Sequence, residues 1–235
     1  MFRKAFTATF GVGCAIGVGI IAIIVLVGAL AGGTRTPQST AVPLGGAQAS
    51  GGSASAAASP TPAPTPVALR GTGQMATDAF RLPAPISVAA FTHTGRANFA
   101  VWLYIGESKN LLVNTIGSYT GSRPMRSTEP VRLQIEADGP WTVNIAAIVC
   151  CASSAEYAGH GDSVSNQFNP PSGSSTWEFA NTGKSNYAVW ARCAGGDNLI
   201  QNRIGAFQGS AIITFQRGPC YWDVVSDGDW SMKPR

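Results

Sequence analysis

Two stretches of this chain repeat each other, and that constrains its fold more than any other feature. Gly71 to Ser122 overlays Gly159 to Ser210 without a gap. Gly71, Gly73, Phe80 and Phe91 meet Gly159, Gly161, Phe168 and Phe179, and the turn Thr94-Gly95 meets Thr182-Gly183. The densest match sets Asn98, Phe99, Ala100, Val101 and Trp102 against Asn186, Tyr187, Ala188, Val189 and Trp190. Asn110, Leu111, Asn114, Ile116 and Gly117 meet Asn198, Leu199, Asn202, Ile204 and Gly205. After one inserted residue, Asp138, Gly139 and Trp141 meet Asp227, Gly228 and Trp230. A fixed-period match of this kind is the mark of a duplicated structural unit.

Within each copy the apolar period is two. Phe99, Val101, Leu103 and Ile105 share one face of a strand; Val131, Leu133 and Ile135 share a face of another, with Arg132, Gln134 and Glu136 turned outward. Asp138-Gly139-Pro140 makes a turn before the alternation Trp141, Val143, Ile145. Short strands punctuated by Gly95, Gly106, Gly117 and Gly121 predict an antiparallel sandwich or jelly roll in each copy. The pattern of a Phe-containing strand, a turn, the strand Asn98–Tyr104, a glycine-punctuated loop and a strand ending in Asp-Gly-x-Trp resembles small bacterial secreted β-sandwiches of the pre-peptidase C-terminal type. Asn98 and Asn186 stand where that family often carries Asp. The resemblance implies an accessory or binding role.

Ahead of the repeats, Arg3 and Lys4 precede an apolar run from Phe10 to Leu30. About 21 residues at about 1.5 Å each cross a hydrocarbon core of about 30 Å, and the leading charges favour a cytoplasmic N-terminus. The rival reading is a cleaved signal peptide, with Gly28 to Gly32 as the cleavage region. From there to Arg70 the chain is Gly, Ala, Ser, Thr and Pro, a composition without large side chains to bury. It predicts a disordered spacer. The expected organisation is therefore a membrane anchor at 1–32, a linker at 33–70 and two all-β modules, 71–150 and 151–235, of sandwich or jelly-roll type. A net charge of +4 comes from scattered bases, with no basic run interleaved with aromatics, so no nucleic-acid partner is expected.

Four cysteines follow the apolar run. Cys193 overlays Ile105 and Cys220 overlays Val131, both core-facing, so two core positions become cysteines together. In an oxidising compartment this predicts a Cys193–Cys220 disulfide; linkage of either to Cys150 or Cys151 is the alternative. No CxxC accompanies them, and no zinc site is expected.

The pattern gives catalysis little to work with. His93 and His160 fall opposite Asn181 and Thr72, so they share no duplicated site, and no cofactor is expected. Asp197, Asp223, Asp227 and Asp229 form an acidic group that turn loops could offer to Ca²⁺, although no metal-loop spacing supports it. Trp102, Trp141, Trp190 and Trp230 are matched pairs, whereas Trp177 and Trp222 occur only in the second copy. Those two are the candidate ligand-facing aromatics. The functional expectation is a membrane-anchored, extracytoplasmic interaction module for an envelope polymer, glycan or protein. A purely structural envelope protein is the alternative, and a hydrolase follows after both.

Overall fold

The computed structural model describes residues 63–151 and 156–235, and among these every regular element is a β-strand. The expected anchor at 1–32 and most of the expected linker lie outside the described residues. The first strand begins at Val67, inside the range 33–70 expected to be linker. Alternating burial along Val67–Thr72 gives the reason: Val67 and Leu69 pack on the core of the first copy.

Each copy contributes eight strands. In the first they are β1 (Val67–Thr72), β2 (Met75–Ala76), β3 (Ile86–His93), β4 (Asn98–Ile105), β5 (Ser108–Ile116), β6 (Tyr119–Arg126), β7 (Val131–Glu136) and β8 (Pro140–Ala147). In the second they are β9 (Tyr157–His160), β10 (Ser163–Val164), β11 (Ser174–Asn181), β12 (Asn186–Cys193), β13 (Gly196–Ile204), β14 (Phe207–Thr214), β15 (Cys220–Val225) and β16 (Asp229–Pro234). The sheets run β1-β8-β3-β6 and β2-β7-β4-β5, then β9-β16-β11-β14 and β10-β15-β12-β13, all antiparallel. The strand order of one copy reproduces that of the other. Even the irregularity is repeated, since β4 slips register between Val101 and Trp102, and β12 between Val189 and Trp190.

One core closes each sheet pair. Phe91, Val143 and Ile145 from one sheet meet Phe99, Val101, Leu133 and Ile135 from the other; Phe179 and Met232 meet Tyr187, Val189, Trp222 and Val224 in the second copy. The period-two faces read from the sequence are the buried ones. At roughly 1.5–3 kcal/mol for each large apolar side chain buried, these faces supply the main favourable term.

The matched glycines and aspartates have structural work. A Cβ at Gly71 would stand 2.5 Å from Trp141 Cζ2, and one at Gly159 equally close to Trp230 Cζ2. Trp141 Nε1–H donates to Gly73 O and Trp230 Nε1–H to Gly161 O, both at 2.9 Å. The Gly-x-Gly motif is thus an indole socket. Asp138 accepts the backbone N–H groups of Arg96 and Ala97 at 2.9 Å, and Asp227 those of Lys184 and Ser185 at 2.9 and 3.1 Å. These bonds tie the turn before β8 or β16 to the turn before β4 or β12.

Candidate interaction face

Strand alternation leaves Trp102 and Tyr104 half-buried on the outer face of the β2-β7-β4-β5 sheet, behind the core residues Val101 and Leu103. From β7, Arg132 and Gln134 join the same face, Gln134 directly opposite Trp102 and Arg132 opposite Tyr104. Tyr104 Oη–H donates to Gln134 Oε1 at 2.9 Å, and Lys109 Nζ lies 3.8 Å from the Trp102 ring centre. Between this face and β2 runs an open groove of about 460 Å³, lined by Ala76, Thr77, Tyr104, Glu107, Arg132 and Gln134.

The equivalent face of the second copy is covered, and the first copy covers it. Asp223, which takes the place of Gln134, has a fully buried carboxylate: Arg123 Nη1 approaches it at 2.9 Å, and Arg192 Nε and Nη2 at 2.8 and 2.7 Å. Asp197, at the place of Lys109, pairs with Arg126 at 2.8 Å and Arg192 at 2.7 Å. Arg123 and Arg126 come from β6, the edge strand of the first copy. Ser122 on the same strand donates its N–H to Asp162 O at 2.9 Å, and its Oγ accepts the N–H of Val164 at 3.0 Å. Tyr119 Oη–H donates to Asp162 Oδ2 at 2.8 Å, while the Ser226 N–H holds Oδ1 at 3.0 Å. Tyr221 is 1% and Asp223 0% exposed, whereas Arg132, at the place of Tyr221, is open to solvent.

Electrostatics at this seam follow from burial. Asp162 is held above the usual carboxylate range by desolvation, which outweighs the opposing pull of Arg123 and of the Tyr119 hydroxyl. Desolvation first, and the Asp162 charge second, push the Tyr119 phenol up. Tyr221 is raised to about 12, chiefly by desolvation.

The sequence-derived candidates fall in different places. Trp177 and Trp222 are 4% and 0% exposed and lie in the core of the second copy, their rings 5.2 Å apart at 63°. They are not ligand-facing: Trp222 alternates with Tyr221 and Asp223 on β15 and takes the inward position beside Phe168 and Phe215. Cys193 and Cys220 do form a disulfide, between register partners on β12 and β15, where the first copy pairs Ile105 with Val131. Cys150 and Cys151 pair with each other across a cis peptide bond.

The four aspartates do not converge. Asp197 and Asp223 serve the arginines, Asp227 the turn backbone, and Asp229 pairs with His160 at 2.8 Å. His93 is buried with Nδ1 2.8 Å from Gly117 O and Nε2 3.2 Å from Asp138, its ring stacked on Phe99. Nδ1–H thereby donates to the turn, as does Asn181 Nδ2, which donates to Gly205 O at its place in the second copy.

The sequence reading grouped the seam residues Asp197 and Asp223 with two turn aspartates and singled out neither the seam arginines nor Tyr104. Tyr104 had a signal, since it stands two residues after Trp102 and shares its face. The arginine–aspartate contacts had a fainter one: charges appear in one copy where the other has Gln134 or Ala211. No protein-family model matches the chain, and no curated protein matches its sequence.

Proposed function

We propose that the chain is an interaction module, displayed outside the membrane by its N-terminal segment, that engages an envelope component through the outer face of the first copy. Each copy is taken as a jelly roll, from the strand order in its two sheets. One observation supports the reading above others. The same face exists twice: in the second copy it is filled by β6, and in the first it is open, with Trp102, Tyr104 and a groove of about 460 Å³. Half-buried aromatics beside planar polar groups are a common composition for an interaction surface.

Lysine accessibility tests this without presuming the occupant. A membrane-impermeant amine reagent is applied to intact cells and to dilute, detergent-solubilised full chain. Lys109, on the face, is expected to react more slowly in cells, whereas Lys184 and Lys233, away from it, react alike in both. Equal reactivity of all three in both samples would refute the reading.

A further inference from the structure

We infer that the partner of this open face is a second copy of the chain, whose β14 lies on it as β6 lies on the second copy's face. The inference rests on the interaction-face reading above and names its occupant. Duplication makes the geometry explicit. β14 is the counterpart of β6 and, like it, an edge strand; no described strand pairs with its outer flank, and Ile212, at the place of Pro124, is 76% exposed. The open face and β14 are therefore the two unused halves of a contact the molecule already makes once, internally.

What each half has kept and lost fits that contact. Ser210 stands at the place of Ser122, so an N–H and a hydroxyl are available to the backbone at Gln74 and Ala76, the counterparts of Asp162 and Val164. The hydrogen-bonded and ion pairs of the seam have no equivalent between these two halves. Tyr119 with Asp162 becomes Phe207 with Gln74, Arg123 with Asp223 becomes Ala211 with Gln134, and Arg126 with Asp197 becomes Thr214 with Lys109. At none of these three positions does β14 bring a charge, and the open face balances Lys109 and Arg132 against Glu107 and Glu136. An uncharged strand sets no like charge against Lys109 or Arg132. In place of charge both halves present apolar surface: Ile212 on one, and on the other Trp102 and Tyr104, with Ala76 at the rim of their groove on the same face.

Such a contact is heterologous. Each chain offers one strand and one face at different ends, so association continues head to tail and does not close as a two-fold dimer. On a membrane, copies joined in this way would form linear arrays.

The test is sedimentation of the full chain in detergent across the micromolar range, for the wild type, Ala76→Arg, Ile212→Arg and an equimolar mixture of the two variants. The wild type is expected to give an open-ended series growing with concentration. Either variant alone shifts its midpoint at least about tenfold upward, since a charge is placed within the contact. The mixture recovers association but stops at a pair, because one intact face meets one intact strand; that recovery also shows both variants to be folded. A wild type that stays single, or a closed dimer that both variants retain, overturns the inference. If the chain stays single while a purified wall glycan shields Lys109, self-association falls but the interaction face stands, with glycan as its occupant. If Lys109 is shielded by nothing in cells either, both readings fall.

Discussion

Asp223→Asn removes one negative charge from the middle of the seam while nearly preserving side-chain shape. The Asp223 carboxylate is fully buried between Arg123 at 2.9 Å and Arg192 at 2.7 Å, so the substitution leaves two guanidinium groups facing a neutral amide. Removing one partner of a buried pair costs about 3–5 kcal/mol. The low end applies here, because the two arginine side chains keep 14% and 20% exposure and Arg192 retains Asp197 at 2.7 Å. A loss of about 3 kcal/mol is expected, which for a body of this size lowers the melting temperature by about 6–12 °C.

Urea and thermal unfolding of the full chain in detergent measure that loss, and a double-mutant cycle with Arg123→Ala isolates the pair. The expected coupling is at least about 1.5 kcal/mol and nearly independent of salt, because a desolvated pair is poorly screened. Arg126→Ala is the internal control: its partner Asp197 is partly exposed, so it should cost about 1 kcal/mol or less and become milder still in salt. A loss below about 1 kcal/mol for Asp223→Asn, or a coupling that salt abolishes, would refute a closed charge network at the seam.

Two further outcomes follow from the structure. Replacing Cys193 and Cys220 by Ile and Val, the pair at the same place in the first copy, releases a loop with a sequence separation of 27. Loss of that constraint lowers unfolding stability by about 3–4 kcal/mol less whatever the added aliphatic bulk returns; an unchanged urea midpoint would contradict it. Asp162→Asn tests the seam through pH. Since folding raises the Asp162 pKa, the folded state binds the proton more tightly, and wild-type stability from this group is fully present below the ordinary carboxylate range and lost as pH rises through the raised value. Measured from pH 4 upward, the stability of the variant relative to wild type should therefore increase, and a flat or falling difference would sink the assignment.

Local pattern was enough for much of the fold. The alternation Phe99, Val101, Leu103, Ile105 specifies which face of β4 is buried, because a strand's side chains alternate whatever it packs against. The disulfide was legible for a related reason: duplication places Cys193 and Cys220 where Ile105 and Val131 stand, and two residues that pair in one copy pair in the other. Trp177 and Trp222 show the limit. Being unique to one copy made them look specialised, yet they fill its core, and inward against outward along β15 depends on register, which a change of one residue reverses.

The sequence by itself determined the duplication, the strand period, the turns built on Asp138 and Asp227, and the cysteine pair, all of which depend on short-range geometry or on comparing one copy with the other. Only the tertiary structure decided how the copies meet. Arg123 and Asp223 are far apart in the chain and come together because β6 is an edge strand with one flank to cover. That meeting buries one of two equivalent faces and leaves the other, with Trp102 and Tyr104, open. Sequence comparison treats the copies as equals, and their packing makes them different.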